Sequence, residues 1–187
     1  MAGIQLSRSA NLYSTYPPPK VFATTRRNDK RDFCVTELGC NGAVNTTSFP
    51  EDGWVGEIKK LNDGKGIDLV IDFVGGPMFQ SNLEVLALDG RAVFLGLLGG
   101  PMAPQVVNIS TILMKRLRLE GSTLRSRDLE YQARLLKMFE EKVLPGLIEG
   151  NFKHVIEKVF EWGDIRKAHE LLETNETKGK VVCVIDL

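Results

Sequence analysis

Apolar positions along the chain fall into short dense runs. These alternate with stretches whose apolar residues recur every three or four positions. The densest run is Ile67–Val74, IDLVIDFV, rich in β-branched residues and stopped by Gly75-Gly76-Pro77. That composition predicts a parallel strand covered on both faces, with a glycine turn at its carboxyl end. Similar but shorter signals predict strands at Lys20–Thr25, Ala43–Thr46, Gly90–Leu98 and Leu117–Thr123. Between them the spacing predicts helices. One is capped by Asp29, carries Phe33, Val35 and Leu38, and is closed by Gly39. Another opens at Pro50-Glu51-Asp52 and runs through Trp54, Val55, Ile58 and Leu61. A third has Phe79, Leu83, Leu86 and Ala87 on one face, and a fourth is capped by Asn108. The clearest, Arg127–Val143, repeats Leu129, Ala133, Leu136, Phe139 and Val143 at helical steps. Asn11–Pro19 reads as a proline-blocked loop, and Met1–Ala10 as the tail of a helix.

Strand and helix alternate from Lys20 to Gly150, which predicts an α/β fold built on a doubly wound parallel sheet. After Pro145-Gly146 the pattern changes. His154–Phe160, Asp164–Thr174 and Lys180–Ile185 read as strand, helix and strand. The expected division is therefore residues 1–150 as the main domain and 151–187 as a short βαβ segment too small to bury much core alone.

Composition narrows the function classes. The 187 residues carry 24 Lys+Arg and 24 Asp+Glu, a net charge of zero. That argues against nucleic-acid or anionic-membrane binding through bulk charge. The longest apolar stretch, Ala92–Ala103, is broken by glycine and proline and falls short of the roughly 20 residues of a membrane span. Met1–Ala10 has no signal-peptide pattern. Cys34, Cys40 and Cys183 lack CxxC spacing, and His154 and His169 belong to no metal motif. A reducing, cytoplasmic location fits best.

Three places carry candidate chemistry. In dinucleotide-binding folds an acid at the end of the second strand holds the ribose 2′-hydroxyl, whereas arginine there accommodates a 2′-phosphate. Here Arg26 and Arg27 follow the KVFATT strand and Lys30 lies one turn on, a set suited to a dianionic phosphate. A solvated basic turn would look the same. Glycine turns follow successive strands at Gly75-Gly76, Gly96 and Gly99-Gly100, and glycine lets backbone approach a flat ring. Last, Ser122-Thr123-Leu124-Arg125-Ser126-Arg127 follows the final sheet strand and either faces a ligand or caps the long helix.

The segments VIDFVGG, LALDGRAVFLGLLGG, MKRLRLEGSTLRSRDLEYQ and KGKVV, in that order, resemble the carboxyl-terminal portion of the zinc-independent, zeta-crystallin-like quinone oxidoreductases. These are NADPH-dependent members of the medium-chain dehydrogenase/reductase superfamily. The resemblance covers Lys20–Leu187, while Ala2–Leu6 is similar to the end of the first Rossmann helix. It implies an incomplete Rossmann sheet followed by part of a GroES-like catalytic domain. It also implies NADPH as cofactor and metal-free hydride transfer to a quinone or conjugated carbonyl. Carried over, Arg26, Arg27 and Lys30 occupy the 2′-phosphate region. Val74, Gly75, Leu97 and Leu98 match loops lining the nicotinamide. Ser122, Thr123 and Leu124 match the strand end near the carboxamide, and Asn175 is a candidate for the adenosine side. Thr46 stands where relatives often have tyrosine after the preceding asparagine.

The family's glycine-rich phosphate turn and first strand lie outside the resemblance. The expectations are a truncated, weakly active form and exposed edges on the two strands that flank the missing one. A non-catalytic subunit that pairs with a full-length homologue through Leu117–Gly121, or a homodimer through that strand, is the alternative. A plain dinucleotide-binding module is a third.

Overall fold

In the computed structural model, residues 2–9, 18–49, 53–103 and 106–185 are described. The main body runs α1 (Ala2–Ser9), β1 (Phe22–Thr25), α2 (Asn28–Thr36), β2 (Gly42–Asn45), α3 (Trp54–Leu61), β3 (Ile67–Asp72), α4 (Phe79–Val85), β4 (Leu86–Phe94), α5 (Ser110–Lys115), β5 (Arg118–Gly121), α6 (Leu129–Lys142) and α7 (Leu144–Ile148). The chain then forms β6 (Ile156–Glu161), α8 (Ile165–Glu173) and β7 (Lys180–Val184).

Every strand pairing is parallel. The groups are β1–β2, β3–β4–β5 and β6–β7. This is the α/β, Rossmann-like architecture that the alternation of elements predicts. Among the described residues β1 pairs only with β2, and β3 only with β4, so each leaves one edge unpaired, as expected of the strands flanking the family's first strand.

Helix α3 ties the first two groups together. Its Trp54, Val55 and Ile58 are buried with Val44 of β2 and Val85 of α4, and Phe22, Ile67 and Val70 pack around them. The amphipathic spacing read from the sequence is the face that makes this contact. Leu83 and Leu86 are fully enclosed.

The structure corrects several local expectations. Leu86 and Ala87 do not continue α4, because the helix ends at Val85. Lys115 Nζ donates to the carbonyls of Leu83, Glu84 and Leu86 at 2.8–3.0 Å and takes up acceptors that another turn would have used. Gly66 packs against this corner, where a Cβ would come within 2.6 Å of the Ala87 nitrogen. Strand β4 then kinks through Asp89, at φ 60°, before Arg91–Phe94 pair on both sides. Asp89 is held there by a two-pronged bond to Arg116 at 2.8 and 2.6 Å.

Asp29 is not a cap. Its carboxylate turns to Arg27, and the residue before α2 makes no side-chain cap bond. Asn108 does accept from the Ser110 N–H at 3.1 Å, and the long helix is capped by Asp128, which accepts from the Tyr131 N–H at 2.7 Å. The apolar stripe of α6 is open to solvent, with Leu129 83% and Leu136 58% exposed. Pro50–Asp52 and most of the Asn11–Pro19 loop lie outside the described residues.

Asp72, 5% exposed, ends β3. Its carboxylate accepts from the N–H groups of Val74 (2.7 Å) and Gly75 (3.1 Å) and from Asn82 Nδ2 (3.0 Å). Asp72→Ala leaves these donors without their partner. It is expected to lower the unfolding free energy by roughly 3 kcal/mol, with Asp72→Asn costing less, as read by urea denaturation.

Candidate functional site

The candidate groups gather at the carboxyl ends of the parallel strands, where ligands of open α/β sheets bind. At the end of β1, side chains from the end of β2 and the turn after it pin the backbone. Thr46 Oγ1 donates to the Thr25 carbonyl at 3.1 Å, Thr47 Oγ1 to the Arg26 carbonyl at 3.2 Å, and Asn45 Nδ2 to Asn28 Oδ1 at 2.9 Å. A cavity of about 430 Å³ opens beside this turn, lined by Thr25, Arg26, Arg27, Lys30, Thr174 and Asn175 among others.

Two of its three cations are engaged. Arg27 Nε bonds Asp29 Oδ1 at 3.0 Å and its Nη1 reaches Glu176 Oε1 at 3.3 Å. The hydrogen bond to Asp29 is the main cause of a raised Arg27 pKa, with Glu176 adding to it. Lys30 Nζ donates to the Asn175 carbonyl at 2.5 Å. Arg26 is exposed, and among the described residues its guanidinium has no carboxylate partner. The far wall comes from the C-terminal βαβ unit, where Asn175 takes a left-handed φ of 60° just past α8.

A second group forms where the loops after β3 and β4 run side by side. Leu98 N–H donates to the Phe73 carbonyl (3.0 Å), Gly99 N–H to that of Val74 (2.8 Å) and Gly76 N–H to that of Gly100 (2.9 Å). Gly75 has φ 90°, and a Cβ there would come within 2.6 Å of Leu97 Cδ2. Next to them a cavity of about 680 Å³ lies between the ends of β4 and β5, lined in part by Leu95, Leu97, Ser122, Thr123, Ser126 and Arg127. Ser122 N–H donates to the Phe94 carbonyl at 3.0 Å, and the Thr123 and Ser126 hydroxyls bond each other.

The residues singled out in the sequence therefore separate. Arg26, Arg27, Lys30 and Asn175 share the first cavity, and Leu97, Ser122 and Thr123 share the second. Val74 and Gly75 brace the loop that carries Leu97. Leu98 is 89% and Leu124 55% exposed, and neither lines either cavity. Sequence reasoning missed Glu176 and Asp72. The first follows Asn175 directly, and the second is a lone acid in an apolar run.

Residues 16–141 match a known family of proteins, the zinc-binding dehydrogenases. The chain belongs to that family. It is thus an oxidoreductase-family chain of the medium-chain dehydrogenase/reductase superfamily. It is 33% identical over 107 residues to dehydrogenase FUB6 of Fusarium oxysporum, a match covering 54% of this chain and 29% of that protein. It is 32% identical over 102 residues to quinone oxidoreductase-like protein 2 of Mus musculus, covering 54% of this chain and 27% of the relative. A crystal structure of an NAD-dependent alcohol dehydrogenase superposes over 99% of this chain and 47% of its own, with a TM-score of 0.75 and 28% identity. The chain thus spans less than a third of these curated relatives and about half of that structure.

Despite the family's name, no group of three or more His, Cys, Asp or Glu among the described residues could hold a metal ion. Among the described residues no helix is long and apolar enough to cross a membrane.

The wall of the first cavity is attached to α2 and its end by two surface ion pairs, one exposed and one half-buried. Lys178 reaches Asp29 at 3.3 Å, and Lys153 reaches Glu37 at 2.6 Å. The Arg27 hydrogen bond lowers the Asp29 pKa, and the Lys153 bond lowers that of Glu37. Carboxylates depressed in the folded state stabilise it above their ordinary range, and the effect is lost as pH falls through the folded values. Amide exchange by NMR is expected to show β6 and β7 opening more readily below about pH 4, while β3 and β4 stay protected.

Proposed function

We propose that this chain is the cofactor-binding portion of a quinone-reductase-type oxidoreductase that uses NADPH, without zinc, to reduce a quinone or conjugated carbonyl. The observation that carries the reading is the basic cavity at the end of β1, which holds Arg26 and Lys30 where a ribose carboxylate partner would otherwise stand. The likeness to quinone oxidoreductase-like protein 2 supports the substrate class. NADPH, when bound, supplies the hydride.

The chain's own residues bind and orient. Arg26 forks onto the 2′-phosphate and Lys30 adds a second positive charge. Arg27 adds its Nη1 when Glu176 releases it, its Nε staying on Asp29, and Asn175 borders the adenosine. The Gly75 turn and Leu97 bring backbone and an apolar side chain against the flat ring and keep water from it. Ser122 and Thr123 offer hydrogen bonds to the carboxamide. By itself this portion is expected to bind NADPH weakly and turn over slowly; micromolar affinity with robust quinone reduction would contradict that.

Calorimetric titration with NADPH and NADH tests the reading. Arg26→Ala is expected to weaken NADPH at least tenfold and NADH little, because one charge-assisted phosphate contact is lost. Glu176→Gln, by releasing Arg27 Nη1 while its Nε stays on Asp29, is expected to strengthen NADPH about twofold and leave NADH unchanged. Equal losses for both nucleotides in the Arg26 variant would sink the 2′-phosphate assignment.

A second reading rests on β5, which among the described residues is bonded only to β4. Its open edge, with Leu117–Gly121, suits antiparallel pairing with a second copy or a full-length homologue, as a non-catalytic partner would use. Sedimentation is expected to give a dimer that Leu119→Pro dissociates; a monomer at high concentration excludes it.

A further inference from the structure

Two of the three cysteines meet where α2 turns into β2. Cys34 is half-buried on α2, and Cys40, two residues before β2, is buried. Helix α2 closes at Glu37, Gly39 takes a left-handed φ of 67°, and the chain doubles back. Cys40 N–H then donates to the Cys34 carbonyl at 2.9 Å. The two thiols are hydrogen-bond partners, and both are reduced. That bond draws the Cys34 pKa down to about 7, against burial, which pushes it up. A thiolate fraction at neutral pH makes a sulfur nucleophilic. Cys183 lies apart on β7.

We propose that Cys34 and Cys40 are an oxidation site, in which hydrogen peroxide attacks at the half-exposed Cys34 and the buried Cys40 resolves it to an intramolecular disulfide. The Cys34 thiolate attacks one peroxide oxygen. An S–O bond forms, the O–O bond breaks, and hydroxide leaves and takes up a proton as water. The Cys40 sulfur then attacks the Cys34 sulfur. The S–S bond forms, the S–O bond breaks, and a second water leaves with the Cys40 proton. In sum, two thiols and one peroxide yield one disulfide and two waters, with two electrons passing from sulfur to oxygen.

The hydrogen bond from the Cys40 N–H to the Cys34 carbonyl already holds the two residues near one another, as closing a disulfide between them requires. Cys34 lies one helical turn beyond Lys30, so the disulfide would join the far part of the helix bearing the basic rim to the start of β2. The inference does not depend on the cofactor assignment.

The test uses the full reduced chain, treated with a slight excess of hydrogen peroxide, alkylated with N-ethylmaleimide and digested with trypsin. Both cysteines fall in one tryptic peptide, residues 32–59. Wild type is expected to yield that peptide unalkylated and about 2 Da lighter than its reduced form, with Cys183 still alkylated and dithiothreitol restoring both thiols. Cys40→Ser is expected to stop at a Cys34 sulfenic acid that dimedone traps, and Cys183→Ser to behave as wild type. Wild-type peptide 32–59 alkylated at both positions, or a disulfide that uses Cys183 or a second molecule, would overturn the proposal.

Discussion

The carboxylate of Asp72 is the constraint on which the ligand-facing side of the main sheet depends. It is an acid at the end of an apolar strand, taken out of water, and it accepts three hydrogen bonds there. A buried charge is tolerated only when donors surround it, and the loop supplies two of them from consecutive backbone amides. Those bonds force the chain to curl immediately after β3. Gly75 can follow because it has no Cβ at φ 90°, where a side chain would strike Leu97. The curled loop then lies along Leu95–Gly100, and the two loops bond amide to carbonyl as a continuation of the sheet. Asn82 carries the same carboxylate contact into α4, so the strand end, the turn and the following helix are fixed by one group.

A different physics governs the first cavity. Its floor is firm, because the hydroxyls of Thr46 and Thr47 and the buried Asn45 pin the turn after β1. Its far wall is held by Arg27–Glu176 and Lys153–Glu37, both solvent-exposed, and by Lys178–Asp29, half-buried. Such pairs contribute little free energy each and weaken with salt. The cavity therefore has one rigid side and one adjustable side, and the adjustable side carries an acid that competes with any anion for Arg27.

The chain's periodicity already carried most of the fold. The apolar runs at Ile67–Val74 and Gly90–Leu98 read as strands and form β3 and much of β4, although Leu69, Ile71 and Phe73 of the first are half-exposed where the pattern predicts cover on both faces. Trp54, Val55 and Ile58 recur on one helical face that finds a core. The basic turn was visible too, as two arginines and a lysine after a strand, although a solvated turn reads the same. What the sequence could not show was where local patterns yield to distant partners. Leu86 fits the helical face of α4, yet Lys115, far along the chain, takes the carbonyls that end the helix. Asp29 has the chemistry of a cap, yet Arg27 claims it.

By itself, then, the sequence determined the parallel α/β class, the order of its elements and the cluster of positive charge at the end of β1, because these follow from composition and spacing within a few residues. Only the tertiary structure decided that Glu176 faces Arg27 across 149 positions, that Leu98 and Leu124 stand exposed while Leu97, Ser122 and Thr123 share a cavity, and that the Cys40 N–H bonds the Cys34 carbonyl. The reason is physical. Hydrophobic periodicity is a local property of the chain, whereas the partner of a polar group is set by whichever donor or acceptor the fold brings within about 3 Å.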